Sequence, residues 1–182
     1  TGVQTCALPI CDGTIIEDSG YVSRPDDVKL VAGAAMAIRL AHNVNRPVIV
    51  VTNQSGIARG ILSEADYRAV HQRMEQLLAE YGAFIDTEYA CPHHPDITGP
   101  CDCRKPGLAL YEQAARDHGL DLAASAYIGD RWRDVAPGVH FGGTAILVPG
   151  PATPPDEVEQ ARTHAVVVAT LRDRSEEHTS EL

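Results

Sequence analysis

Short unbroken apolar runs alternate along the chain with stretches whose apolar positions recur every three or four residues. The run "PVIVV" (47–51) is β-branched throughout, as expected of a strand buried on both faces. Residues 31–42 before it read as a helix. Residues 63–81 after it carry the clearest helical pattern, with Tyr67, Val70, Met74, Leu77, Leu78 and Tyr81 on one face, assigned to the core, and a Ser63/Asp66 capping box at the start. Residues 84–91 read as a strand, 108–118 as a helix and 125–130 as a strand ending in a carboxylate. Residues 144–148 and 164–168 are further strands, residues 149–155 form a Pro-rich loop, and no internal repeat is visible.

Alternation of strands and helices predicts an α/β fold: a parallel sheet with right-handed crossovers and helices on both faces. Ligands of such sheets lie beyond the carboxyl ends of the strands. The polar residues directly after the strands should therefore converge: Asp12, then Thr52, Asn53, Gln54 and Ser55, then the loop after Cys91, then Asp130.

Composition narrows the class. The 182 residues suit one domain, expected to be a monomer, with 44% hydrophobic and 22% charged residues. A net charge of -10 argues against sequence-independent nucleic-acid binding, yet a local Arg/Lys cluster still admits a small anion. No apolar run approaches the ~20 residues that span a bilayer, and no signal peptide is evident. Of five cysteines, Cys91, Cys101 and Cys103 lie near histidines, which reads as metal binding in a reducing compartment. A soluble cytoplasmic protein is expected.

Four segments carry chemistry. In "CPHHPDITGPCDCRKP", Cys91, His93, Cys101 and Cys103 supply three thiolates and an imidazole, a complete tetrahedral set for Zn²⁺ with no open position, hence structural; His94 is the reserve ligand. In "VVTNQSGIARG", a buried strand runs into Thr52 and a glycine-bounded loop bearing Arg59, a geometry able to hold phosphoryl oxygens. Arg104 and Lys105 directly follow the zinc ligands and are placed for an anionic group. In "IGDRWRDV", Asp130 at a strand end suits Mg²⁺, Arg131 could reach substrate, and Asp134 reads first as a helix N-terminal charge.

Together, Asp-Gly-Thr after the first strand, Thr-Asn after the second, a later Lys and Gly-Asp at another strand end resemble the haloacid dehalogenase (HAD) superfamily of phosphatases, over residues 12–168. "GYV", "VTNQSGIARG" and the "CPHHP…CDCRKP" insertion are similar to its heptose 1,7-bisphosphate and histidinol-phosphate phosphatases. The resemblance implies a Rossmann-like fold without a large cap domain, and hydrolysis of a small phosphorylated sugar through an aspartyl-phosphate. It implies that Asp12 is the acid and base and, with Asp130, a Mg²⁺ ligand. It also implies that Thr52 and Lys105 steady the transferring group. Asp18, Ser19, Gly20, Tyr21, Asn53, Gln54, Ser55, Arg59, Arg104 and Arg131 match substrate-contacting segments.

One position departs from the pattern. The nucleophile position, two residues before Asp12, holds Ile10, preceded by Pro9. Isoleucine can neither attack phosphorus nor bind Mg²⁺, so the chain as written is expected not to turn over. Proline also lacks the N–H a central strand needs. Residues 1–11 and 174–182 read as translated adaptor sequence, leaving a single phosphatase domain over 12–173, with an Asp expected natively at position 10. Three alternatives stand beside the sugar phosphatase: a histidinol-phosphate phosphatase, a catalytically dead binder of a phosphorylated ligand, and a zinc-dependent interaction module.

Overall fold

The computed structural model describes residues 6–9, 11–18 and 20–171. Ile10, Ser19 and the expected foreign tail lie outside the described residues. Six parallel strands, β1 (Ala7–Pro9), β2 (Ile49–Asn53), β3 (Thr87–Cys91), β4 (Ala126–Gly129), β5 (Thr144–Leu147) and β6 (Val166–Val167), form the centre of the fold. Four of them pair in the order β1-β4-β5-β6, and β2 pairs with β3. Because β2 also packs beside β1, the strands run 3-2-1-4-5-6, the doubly wound order whose switch point lies between β1 and β4.

The β-branched run explains why β2 is central. Val48 and Val50 pack on one face against Ile38 of α1 (Ala34–Asn43) and against Val70, Met74 and Leu78 of α3 (Glu64–Ala79), which follows the single turn α2 (Ser55–Ala58). Ile49 and Val51 pack on the other, against Leu110, Tyr111 and Ala114 of α5 (Ala109–His118), the helix after the short α4 (Pro95–Thr98). Farther along the sheet, Ala145 and Leu147 meet Val135 of α6 (Trp132–Phe141) and Ala161 of α7 (Pro155–His164). Both faces are thus covered, and the described residues contain no second folded unit that could serve as a large cap. No described helix is long and apolar enough to cross a membrane.

The α3 capping box is present: Ser63 Oγ accepts from Asp66 N at 3.1 Å, and Asp66 Oδ2 accepts from Ser63 N at 2.8 Å. Not every aromatic expected in that helix reaches the core. Tyr81 lies beyond the helix end and is exposed, while Tyr67 faces the cleft described below. The strand expected over 84–91 begins only at Thr87, because Phe84 stacks on His42 at a centroid distance of 4.0 Å outside the sheet. The strand expected over 164–168 shrinks to Val166–Val167, and His164 instead closes α7. That helix starts on Pro155, whose fixed φ suits a first turn, and buries only Ala161.

Of the expected leader, residues 6–9 and 11 are described. Residues Ala7–Pro9 pair with Ala126–Ile128, and Cys6 and Cys11 are buried. Pro9 closes β1 opposite Ile128.

Candidate active site

A cleft of about 280 Å³ opens at the carboxyl ends of β1, β2 and β4. It gathers Asp12, Asp18, Gly20, Tyr21, Thr52, Asn53, Gln54, Ser55, Arg59, Arg104, Lys105, Asp130 and Arg131. Those thirteen are the described members of the set expected to handle substrate and Mg²⁺; Ile10 and Ser19 fall outside the described residues.

The first wall is the turn after β1. Ile15 N and Ile16 N both donate to Cys11 O, and Gly13 N donates to Ile16 O at 2.8 Å, so the chain reverses directly after Asp12. Gly13 sits at φ +81° and lies against Asp130; a Cβ there would collide with the carboxylate. The turn therefore sets the residue after Asp12 directly against the Asp130 side chain. Asp12 Oδ2 accepts from Gln54 Nε2 at 3.0 Å, and the same amide reaches Thr52 Oγ1 at 3.1 Å. Burial pushes the Asp12 carboxyl up to about 6, against the pull of the Gln54 hydrogen bond. Burial, then the nearby Asp134, pushes Asp130 up to about 7. Both carboxylates line the same cleft, and an all-oxygen donor set suits Mg²⁺.

The second wall centres on Lys105. Its Nζ donates to Val51 O at 2.6 Å and pairs with Asp134 Oδ1 at 2.9 Å, with both side chains nearly inaccessible. Burial lowers the lysine pKa and Asp134 opposes that effect. Asn53 is committed to the backbone of Lys105, accepting from its N at 2.9 Å and donating to its O at 3.3 Å. This side chain positions the lysine, a role that reading by strand-end position did not separate from substrate contact. Asp134 has two duties: its Oδ2 accepts from Arg131 N at 3.2 Å at the start of α6, as a helix-terminal carboxylate should, while Oδ1 neutralises Lys105.

The cleft arginines differ in what they hold. Arg59 Nη2 lies 2.6 Å from His94 Nε2, and Arg104 Nη1 donates to His93 O at 3.3 Å. Arg131 makes three hydrogen bonds to the Glu157 carboxylate, at 2.7, 3.1 and 3.2 Å. Arg133, Tyr67, Val70 and His71 also line the cleft and were not singled out from sequence for that role. Tyr67 belongs to a helical pattern that reads as core, and no local signal marks His71.

Beneath that wall, Glu88 is contacted by the Tyr67 hydroxyl and by His71. Burial, then the charge of Asp12, pushes Glu88 up to about 8 from an ordinary value of 4.5. A carboxyl raised on folding stabilises the fold fully below its unfolded pKa and loses that contribution as pH rises through the folded value. Thermal stability should therefore fall between about pH 5 and 8. Glu88→Gln should flatten that slope in a melting-temperature series; an unchanged slope would assign it to other groups.

Beside the cleft, Cys91, His93, Cys101 and Cys103 bring their ligand atoms within 4.8 Å of one another. Successive separations are 3.9 Å (Cys91 Sγ to His93 Nδ1), 3.2 Å (His93 Nδ1 to Cys103 Sγ), 3.4 Å (Cys103 Sγ to Cys101 Sγ) and 3.7 Å (Cys101 Sγ to Cys91 Sγ). Tetrahedral Zn²⁺ bonds of ~2.0–2.3 Å place ligand atoms roughly 3.3–3.8 Å apart. The sulfurs of Cys91 and Cys103 also come close enough to be bonded to each other. A disulfide accounts for two of the four residues, whereas a tetrahedral metal accounts for all of them. His94 stands apart from the cluster as the N-cap of α4.

A parallel doubly wound sheet with acidic and cationic groups converging on its switch point defines a phosphoryl-transfer hydrolase. The chain matches the HAD-hydrolase-like family over residues 102–174 and the polynucleotide kinase 3 phosphatase family over residues 11–137. It is 38% identical over 168 residues to D-glycero-β-D-manno-heptose-1,7-bisphosphate 7-phosphatase of Photorhabdus laumondii, covering 89% of this chain and 88% of that one. It is 40% identical over 146 residues to the enzyme of the same name from Escherichia coli, covering 75% of each. The crystal structure of D,D-heptose 1,7-bisphosphate phosphatase from B. bronchiseptica, complexed with magnesium and phosphate, superposes with a TM-score of 0.87 at 31% identity, covering 98% of this chain and 100% of that one. The chain belongs to the HAD-like phosphatase family, a family of phosphoric monoester hydrolases.

Proposed function

We propose that the chain is built to remove the 7-phosphate of D-glycero-β-D-manno-heptose 1,7-bisphosphate. The observation that carries this reading is the single cleft in which Asp12, Asp130, Thr52 and Lys105 converge among four arginines. A sugar bearing two phosphates needs cations beyond those around the reacting group, and the cleft supplies them despite the acidic net charge of -10. The heptose-bisphosphate relatives support the choice of sugar.

Burial raises the Asp12 carboxyl to about 6, close enough to neutral pH for the group to take up a proton and give it to a departing sugar alkoxide. Once ionised, the same group can take a proton from an attacking water. Gln54 keeps its Oδ2 aimed by the bond described above, and Thr52 places a buried hydroxyl beside it. Lys105, fixed at both Nζ and backbone, presents a positive charge that needs no reorganisation to meet a phosphoryl group. Asp12 and Asp130 would hold Mg²⁺, which when bound offsets the charge of the phosphoryl oxygens.

Cys91, His93, Cys101 and Cys103 would hold a structural Zn²⁺ that stiffens the loop leading into Arg104 and Lys105. Elemental analysis of purified protein should then find one zinc per chain, and Cys101→Ser should lower both zinc content and melting temperature. Loss of stability on reduction, with none on chelation, would instead point to the Cys91–Cys103 disulfide.

A ligand panel tests the substrate. The bisphosphate with Mg²⁺ should raise the melting temperature more than histidinol phosphate at equal concentration. The reverse order would assign the cleft to histidinol phosphate.

A further inference from the structure

We propose that Arg133, rather than Arg131, anchors the phosphate that is not transferred. The assignment rests on the bisphosphate reading given above. Three cleft arginines already have protein partners: Arg59 lies against His94, Arg104 donates to His93 O, and Arg131 is held by both carboxylate oxygens of Glu157. For Arg131 to meet a ligand, a buttressed pair that also ties α6 to α7 through Trp132 N would have to open. Arg133 is different. Its side chain is 45% exposed, and its nearest ion pair among the described residues is Asp134 Oδ1 at 3.9 Å. That oxygen is already neutralised by Lys105 Nζ at 2.9 Å. No hydrogen bond from its side chain is found among the described residues, so the guanidinium retains its full fork of donors for an anion.

Its position also fits. Arg133 lies in the first turn of α6, where a cation opposes the helix dipole and gains nothing from the helix itself. It faces the same cleft as Asp130 and Lys105, close enough to Lys105 to disfavour the lysine's charge. A dianionic phosphate beyond the reacting group would relieve both conflicts. The reacting phosphoryl group has Lys105 and Thr52, so the unengaged fork is left for the phosphate at the other end of the sugar.

Calorimetric titration of the full chain tests this, with Ca²⁺ replacing Mg²⁺ to suppress turnover. The ligands are heptose 1,7-bisphosphate and heptose 7-phosphate, which lacks the distal phosphate. Arg133→Ala is expected to weaken the bisphosphate by about 10-fold or more while leaving the 7-phosphate within about twofold. Arg133→Lys should fall between, because a point charge replaces the fork. Melting curves should show both variants folded. Equal weakening of both ligands, or of neither, would overturn the assignment. So would selective loss in Arg131→Ala without loss in Arg133→Ala. A parent chain that binds neither ligand would overturn the heptose reading itself, and this anchor with it.

Discussion

Phosphate release is expected to be absent from the chain as written and to appear when Ile10 is replaced with Asp. The expected gain is on the order of 10³-fold or more above the parent, the scale on which losing a covalent nucleophile acts. The rest of the machinery is in place to receive it. Asp12 is aimed by Gln54, Lys105 is held by Val51 and Asp134, and Asp130 abuts the turn at Gly13. Pro9 closes β1 without an N–H to give, so Pro9→Leu in the same chain should add stability and leave the gain in activity intact. Phosphate release from the bisphosphate with Mg²⁺ is the measurement. Activity in the repaired chain alone makes position 10 the whole of the defect. Activity in neither, with bisphosphate binding retained, makes the protein a binder of phosphorylated sugar. Activity in the parent removes Ile10's position from the nucleophile's role.

Much of this site was legible because strand ends are legible. A continuous apolar run reads as a buried strand, and doubly wound topology brings the polar residues that follow such strands to one crevice; Thr52 and Asp130 were placed there by that rule. The candidate metal cluster was equally open, since its four residues lie within a short span, with His93 taken ahead of His94 from the Pro-flanked spacing. What stayed hidden depended on partners distant in sequence. Arg131 and Arg133 differ little as letters. Their partners diverge because Glu157 arrives from α7, a helix with only Ala161 buried and so almost no apolar signal. The helix α6 is itself masked, because Pro137 lies inside it and cannot donate to the carbonyl of Arg133. Tyr67 occupies helical spacing that reads as core, and His71 carries no signal of its own. Only the placement of α3 against the end of the sheet opens them to the cleft.

Asp134 carries the second large expectation, and it is one of stability as much as of activity. Removing one partner of a buried ion pair leaves the other charge without compensation, at a cost of about 3–5 kcal/mol. Asp134→Ala does this to Lys105, which keeps only the Val51 carbonyl and sits 4% exposed. For a chain of this size that cost corresponds to a fall of roughly 6–20 °C in melting temperature. Asp134→Asn should cost less, since an amide oxygen can still accept from Lys105 Nζ. Lys105→Met combined with Asp134→Leu should recover most of the stability, because apolar replacement of both partners removes the stranded charge. The double variant should nevertheless bind neither inorganic phosphate nor the bisphosphate, because the cation proposed to meet the phosphoryl group is gone. Melting curves and phosphate titrations on the four chains separate these effects. If Asp134→Ala melts within about 2 °C of the parent, the lysine is not held charged by Asp134, and its fixed position must come from Asn53 and Val51 alone.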